Sequence, residues 1–251
     1  MNWSEHFKKD IAYHAATAHE YDAVVVDSRE CFNELVFAGI EPLIGPGNAM
    51  LDLGCGTGHS IRRFGNRFKT VLGVDHSREM LGRARANLST SGGHAALIRQ
   101  DAFEFLPSLA SEFDLITAIG FLHHLPPHSI PTLLAAIRQN LANNGLLLLA
   151  EPIAVDLSQQ PSEVIEWNAR SVMAKLQFSA QAEEADEAPL DQEALMASLA
   201  QEGFETIQTF RGWELFPHHV PADDEDRRQI ARLHARHGSN GNVLCLLLRK
   251  P

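Results

Sequence analysis

The sequence predicts an α/β fold with a doubly wound, mostly parallel sheet, and three observations support this prediction. Short apolar runs alternate with amphipathic, helix-like stretches along most of the 251 residues. The runs are nearly continuous, as in parallel strands that are buried on both faces. The first run leads directly into glycines that alternate with other residues, a turn suited to the carboxyl end of a strand. Such a pattern predicts right-handed βαβ units with helices on both sides of one sheet.

The apolar runs predict seven strands, at residues 49–53, 70–74, 96–99, 114–119, 146–150, 206–210 and 243–248. Helices are predicted at residues 60–68, 77–88, 131–142, 191–201 and 222–237. Ser77 is suited to a helix N-cap, and Pro131 is suited to a first helical turn. Asn144 and Gly145 predict the end of the helix that begins near Pro131.

Four segments are predicted from the positions of these elements. Residues 1–45 form an N-terminal helical arm, and residues 46–152 form the core with the first five strands. Residues 153–190 interrupt the alternation as a helical insertion after the fifth strand. Residues 191–251 then complete the sheet.

Composition narrows the class of partner. The formal net charge of −11 disfavours nucleic acid, which is bound through clustered Lys and Arg. The three cysteines are scattered and odd in number, which predicts free thiols and a cytoplasmic protein. No apolar run reaches the length of about 18 residues that a spanning helix needs, so we expect no membrane span. The oligomeric state stays open, with a homodimer as one option.

The glycine loop after the first strand is the most informative motif. Asp52 precedes Gly54, Gly56 and Gly58, and a helix is predicted to follow. The dinucleotide fingerprint G-x-G-x-x-G would need glycine or alanine at position 59, where this chain has His59. The third glycine therefore comes one position early, which disfavours an NAD oxidoreductase.

Further polar residues follow the next predicted strands. Asp75 ends the second strand, at the spacing of about 20 residues from the glycine loop that suits a ribose-binding carboxylate. Asp101 follows the third strand and has an apolar neighbour, a combination suited to an adenine. Each of these aspartates could instead cap the helix that follows it.

This succession of motifs resembles the class I S-adenosylmethionine (SAM) dependent methyltransferases over residues 46–152. The loop Leu122-His123-His124-Leu125-Pro126 and the pair Tyr21-Asp22 are similar to those of small-molecule, ubiquinone/menaquinone methyltransferase-like enzymes. The resemblance implies a Rossmann-like core, SAM as cofactor and S-adenosylhomocysteine (SAH) as product.

The resemblance also implies which residues bind the cofactor. They are Tyr21, Asp52, Gly54, Cys55, Gly56, Asp75, His76, Met80, Asp101, Ala102 and Ile119. Asp52 would order the amino group directly or through water, Asp75 would hold the ribose, and Asp101 would recognise the adenine. Cys55 would contribute its backbone and small size rather than thiol chemistry.

Methyl transfer needs a nucleophile in line with the methyl group, and a general base helps if that nucleophile is a hydroxyl. His124 and His123 are the first candidates for the base because they follow the fourth strand. They could instead shape the cavity wall or pack their loop. Glu151 is a candidate substrate contact, or else a cap of the turn at Pro152. His218 and His219 are weaker candidates.

No metal site is predicted. His123, His124 and His128 cluster in the sequence, but Pro126 and Pro127 prevent a helical pair of ligands. His234 and His237 could share a helix face without a further ligand to complete a zinc set.

The predicted acceptor is a small, planar or partly apolar metabolite that is methylated on O or N. Aromatic and sulfur side chains outside the core could line its pocket, namely Trp167, Met173, Phe178, Trp213 and Phe216, although core packing explains each of them at least as well. Tyr13 and Tyr21 could close over the cofactor. A protein or RNA methyltransferase and a non-catalytic SAM-binding homologue are the alternatives.

Overall fold

A single seven-stranded sheet organises the part of the chain that the computed structural model describes, residues 3–110, 112–179 and 188–251. Its strands are β1 Gly47–Leu53, β2 Phe68–Asp75, β3 Ala96–Arg99, β4 Phe113–Ile119, β5 Leu141–Pro152, β6 Glu205–Gly212 and β7 Val243–Arg249. The order across the sheet is β3-β2-β1-β4-β5-β7-β6. Only β7 is antiparallel to its neighbours, β5 and β6, within these residues. The predicted doubly wound, mostly parallel fold is confirmed.

The helices are α1 Trp3–Thr17, α2 Glu30–Ala38, α3 His59–Phe64, α4 Arg78–Ser91, α5 Ala102–Phe105, α6 Ile130–Asn140, α7 Ser162–Ser179, α8 Gln192–Gln201 and α9 Asp224–His237. A π-helical turn spans Asp22–Val26 between α1 and α2. The predicted N-cap of α4 is confirmed, because Met80 N donates to Ser77 Oγ at 3.2 Å. None of the helices in the described ranges is both long enough and apolar enough to cross a membrane.

The prediction for the end of α6 was wrong. The helix ends at Asn140, and β5 begins at once with Leu141. Asn144 has a φ of 61° and donates its N–H to Lys250 O. The pairing of β4 with β5 shifts register before Leu115 and Leu146. Asn144 and Gly145 therefore form an irregularity within β5 rather than the end of a helix. The hydrogen bond of Asn144 to Lys250 favours the extended strand over the helix end that these two residues would otherwise form.

The predicted helix at 60–68 also ends early. Helix α3 ends at Phe64, a 3₁₀ turn covers Gly65–Arg67, and Phe68 already belongs to β2.

Apolar side chains cover both faces of the central strands. In β1, Leu51 and Leu53 belong to the cluster on one face, while Met50 belongs to the cluster on the other. All three side chains are fully buried. Burial on both faces explains why β1 has no polar alternation and fixes the glycine loop at its carboxyl end.

A smaller third cluster lies under α9. It contains Trp167 and Trp213, together with Ile230 and Leu233 of that helix. Trp213 is fully buried, and its Nε1 donates to His237 O at 3.0 Å. This packing holds the segment after β6, which reaches the site described next.

Candidate active site

Two adjoining cavities open at the carboxyl ends of the parallel strands. The first, of about 740 Å³, is lined by nine of the residues predicted to bind the cofactor: Tyr21, Gly54, Gly56, Asp75, His76, Met80, Asp101, Ala102 and Ile119. We refer to it as the cofactor-side cavity.

The glycine loop forms the floor of this cavity. Gly54 has a φ of +64°, and a Cβ added to it would lie 2.5 Å from the Phe121 ring. The loop therefore needs glycine here both for its backbone conformation and for the close approach of Phe121. Gly56 N donates to Asp75 Oδ2 at 2.9 Å, which ties the loop to the end of β2.

The sequence left open whether Asp75 and Asp101 bind a ligand or cap the helix that follows, and in the structure each is placed for both roles. Asp75 accepts from Gly56 N and from Ser77 N at 2.8 Å, and Asp101 accepts from Phe103 N at 2.7 Å. Both residues also line the cavity. Because each carboxylate oxygen has more than one acceptor site, these backbone bonds orient the groups and leave them able to accept from a ligand.

Asp52 and Cys55 do not line the cavity; both are buried. Asp52 Oδ1 accepts from Thr117 Oγ1 at 2.6 Å, and Oδ2 has no hydrogen-bond partner among the described residues. Burial raises the pKa of Asp52 to about 7, against the opposing hydrogen bond from Thr117. Burial also raises the pKa of Cys55 well above its ordinary value, so its thiol stays protonated.

The second cavity, of about 1330 Å³, lies beside the first. The two share His14, Tyr21, Ile119, Gly120 and His124, which we call the shared wall. The remaining lining comes from the N-terminal arm, the ends of β4 and β5, and the segment after β6. We refer to this space as the acceptor-side cavity.

Apolar and polar side chains both line the acceptor-side cavity, and the apolar ones come mainly from the N-terminal arm. Val25, Phe32 and Phe37 from the arm and Phe216 provide apolar surface. Phe216 therefore lies where the sequence suggested. Tyr13, which was expected to close over the cofactor, lines the acceptor-side cavity and not the cofactor-side cavity.

The other aromatic and sulfur candidates lie elsewhere. Trp167 and Trp213 are packed in the third cluster, and Met173 is 56% exposed on α7. The side chain of Phe178 is outside the described part of the structure.

Arg29 and Glu214 form an ion pair in the acceptor-side cavity. Glu214 is 8% exposed, and its backbone is fixed by Asn242 and Ser171. The sequence analysis missed both residues, since they lie in different segments and match no motif.

His123 and Glu151 form a hydrogen-bonded pair on the wall of the acceptor-side cavity. His123 Nδ1 lies 2.8 Å from Glu151 Oε2. Glu151 also accepts from the backbone N–H groups of Phe121, Leu122 and His123, and it is 1% exposed. It therefore caps the turn at Leu122–His124, rather than the turn at Pro152, and orients His123 at the same time.

Asp10 of α1 is the centre of a second polar group. His124 Nδ1 lies 2.9 Å from Asp10 Oδ1, His76 Nε2 lies 3.0 Å from Oδ2, and His14 Nε2 lies 3.4 Å from Oδ1. Burial alone would raise the pKa of Asp10, but the bonds from the three histidines hold it far below its usual range. Burial lowers the pKa of His76, but the nearby carboxylates of Asp10 and Asp75 outweigh this effect and raise the pKa above its ordinary value.

Asp10 was not predicted from the sequence. The only signal was its i, i+4 spacing to His14 on a predicted helix, which places the two side chains on one face.

His218 and His219, the weaker base candidates, are exposed and line neither cavity. His218 contacts Arg170 and the Trp167 ring, while His219 pairs with Asp223 and Asp226 at the start of α9.

Comparison with known proteins identifies the core of the chain. Residues 50–145 match the family model described as a methyltransferase domain. An uncharacterized methyltransferase of Synechocystis sp. is 31% identical over 142 residues, which are 57% of this chain and 61% of that protein. A ubiquinone biosynthesis O-methyltransferase of Aromatoleum aromaticum is 36% identical over 80 residues, which are 32% of this chain and 34% of that protein. Residues 50–145 are a methyltransferase domain of the class I, SAM-dependent family.

The methyltransferase fold extends beyond those residues. The structure of the protein DhpI in complex with SAH aligns with a TM-score of 0.66 at 15% identity, and the alignment covers 99% of this chain and 98% of that one. The sequence matches, in contrast, span less than two thirds of both curated relatives named above. The matched residues contain the glycine loop, Asp75 and Asp101, whereas helix α1 lies outside the matched domain.

Proposed function

We propose that the protein is an enzyme that transfers a methyl group from SAM to an oxygen or nitrogen atom of a small, partly apolar metabolite. The observation that carries this proposal is the junction of the two cavities at the shared wall. A cofactor in one cavity and an acceptor in the other would meet there. When bound, SAM supplies an electrophilic methyl group on its sulfonium.

The lining of the cofactor-side cavity offers SAM a suitable set of partners. Gly54 and Gly56 line the cavity without a side chain, so a ligand can approach their backbone, while the ring of Phe121 packs against Gly54. Asp75 offers carboxylate oxygens to a ribose diol, Asp101 to an adenine amino group, and Met80 an apolar surface to the ring. Asp52 lies behind the loop, where its charge would act on the amino group through water.

The acceptor-side cavity favours a small molecule over a macromolecule. The arm, residues 1–45, contributes Tyr13, Val25 and Phe37 to its wall, and the insertion, residues 153–190, contributes Ala188 and Pro189. Both segments thus border the acceptor-side cavity, as a cap over a small acceptor would, and the net charge of −11 disfavours an RNA. Residues 180–187 of the insertion lie outside the described residues. The buried thiols of Cys31, Cys55 and Cys245 fit a cytoplasmic protein.

His123 is the proposed general base. A carboxylate only accepts hydrogen bonds, so its contact with Glu151 places the imidazole proton on Nδ1. Nε2 is then the nitrogen that takes a proton from an acceptor hydroxyl or ammonium group, while the imidazolium stays paired with Glu151. Glu151 is a positioning residue in this scheme, and His124 contributes to the wall between cofactor and acceptor.

Calorimetric titration with SAH tests the proposal, using Asp75→Ala and a matched control, Asp114→Ala. Each aspartate accepts hydrogen bonds from two backbone N–H groups. Asp75 does so at the cofactor-side cavity, and Asp114 accepts from Asn48 and Ala49 at the opposite end of the strands. We expect Asp75→Ala to abolish detectable SAH binding with the fold intact by circular dichroism, and Asp114→Ala to keep the wild-type affinity.

Unchanged affinity of Asp75→Ala for SAH would contradict the site assignment. Asp75→Asn, which keeps the size of the side chain, is the second variant if Asp75→Ala does not fold, and it too should weaken SAH binding.

A further inference from the structure

Three side chains with metal-ligating atoms converge on the shared wall. Asp10 Oδ1 lies 2.9 Å from His124 Nδ1 and 3.4 Å from His14 Nε2. One ligand atom from each of the three residues lies within 4.8 Å of the others. Two ligands bound to one tetrahedral Zn²⁺ at about 2.0–2.1 Å lie about 3.3 Å apart, so the observed separations fit a common ion.

The three ligating side chains come from two separate parts of the fold. Asp10 and His14 are one helical turn apart on α1, and His124 follows β4 at the carboxyl edge of the sheet. Asp10 is 3% exposed. His76, at the end of β2, contacts the other carboxylate oxygen at 3.0 Å. An outer partner of this kind orients a ligating carboxylate.

The position of the donors distinguishes them from an ion-pair network on the protein surface. His14 and His124 line both cavities, and Asp10 lines the cofactor-side cavity. An ion held by three protein ligands would therefore have a remaining position facing the space where cofactor and acceptor meet, as catalytic zinc sites do.

We propose that Asp10, His14 and His124 bind one divalent transition-metal ion of the Zn²⁺ type. Two imidazoles and one carboxylate suit Zn²⁺ and its neighbours Co²⁺, Fe²⁺ and Ni²⁺, whereas Ca²⁺ and Mg²⁺ prefer sites made of oxygen ligands. The expectation of no metal site did not consider this donor set, because it rested only on histidines that are close in the sequence.

The ion also narrows the acceptor class, and this consequence rests on the proposed function. A bound divalent cation lowers the pKa of an oxygen or sulfur acid that it contacts. Of the two proposed acceptor types, a hydroxyl would gain from this effect, whereas an amine would not need it.

Co²⁺ titration of the full chain, purified without a histidine tag and treated with a chelator, tests the site. Co²⁺ at a site of low coordination number absorbs strongly in visible light, whereas the hydrated ion absorbs weakly. We expect saturable absorption at one Co²⁺ per chain, and displacement of the Co²⁺ by Zn²⁺. His14→Ala and His124→Ala should weaken binding by about 10-fold or more.

His219→Ala is the matched control. His219, Asp223 and Asp226 form another group with ligand atoms at similar distances, but His219 and Asp223 are exposed. This variant should bind Co²⁺ like the wild type. The conservative variants His14→Gln and Asp10→Asn serve if an alanine variant does not fold, and both should weaken binding.

Absence of saturable absorption would overturn the proposal, as would binding that survives in His14→Ala and His124→Ala. SAH calorimetry on the same protein separates this outcome from failure of the proposed function. Co²⁺ binding without SAH binding would reject the methyltransferase activity alone, and SAH binding without Co²⁺ binding would reject the metal site alone.

Discussion

The cofactor-side and acceptor-side cavities share a wall but are constructed in different ways. The first is formed mostly by strand ends and the turns that follow them, with Gly56, Asp75 and Ser77 joined by hydrogen bonds. The N-terminal arm adds Asp10, His14 and Tyr21 to its lining. The second is formed by segments far apart in sequence, as the Arg29–Glu214 ion pair illustrates. A cavity of the first kind can be located from local sequence patterns, whereas one of the second kind becomes visible only in the fold.

The difference suggests where each cavity is sensitive to mutation. In the cofactor-side cavity the backbone conformation itself is part of the site, so a single methyl group can disrupt it. The wall of the acceptor-side cavity is made of side chains. Substitution of these side chains need not change the backbone conformation of the glycine loop.

Gly54→Ala tests the difference between the two cavities, and we expect it to have the largest effect. The added Cβ would meet Phe121 at 2.5 Å, and the φ of +64° is unfavourable for alanine. We expect a loss of about 1–3 kcal/mol in the free energy of unfolding, and SAH affinity reduced by about 10-fold or more, because the loop must move. Chemical denaturation and calorimetry measure the two effects.

Gly82→Ala is the control for the same substitution. Gly82 is exposed in α4, and an added Cβ would have no atom within 4 Å. This variant should gain about 0.5–1 kcal/mol of stability and keep its SAH affinity. If Gly54→Ala bound SAH as well as Gly82→Ala, the loop would not be the part of the site that contacts the ligand.

The sequence predicted the part of the molecule that depends on local rules. The strand positions, the N-cap at Ser77 and the arrival of Asp75 and Asp101 at one edge of the sheet follow from periodicity and turn chemistry. The end of α6 was wrong because its outcome depends on the pairing of Asn144 with Lys250, at the far end of the chain.

The sequence could not predict the polar groups formed between distant segments. Asp10 meets His76 and His124 only after the arm packs across the strand ends. Glu151 was noticed as a polar residue at the end of β5, but its contacts with the turn at His123 depend on the neighbouring position of β4 and β5. Long-range packing decides both cases.

A smaller effect is expected from the buried carboxyl behind the glycine loop. Burial raises the pKa of Asp52 from its ordinary value to about 7 in the folded protein. Between these two values the unfolded chain has released a proton that the folded protein keeps, so the free energy of unfolding decreases as the pH rises through this window.

Urea denaturation between about pH 4 and pH 7 measures this dependence. Asp52→Asn should lose less stability than the wild type as the pH rises, because its side chain does not titrate. Identical pH profiles of the two proteins would show that Asp52 is not a source of pH-dependent destabilisation.

A crystal structure of the protein with SAH is the most direct test of the claim that the two cavities serve cofactor and acceptor. We expect the ribose at Asp75, the adenine beside Met80 and Asp101, and the sulfur at Ile119, Gly120 and His124, facing the acceptor-side cavity. SAH bound in the acceptor-side cavity, or with its sulfur directed away from the shared wall, would contradict the claim.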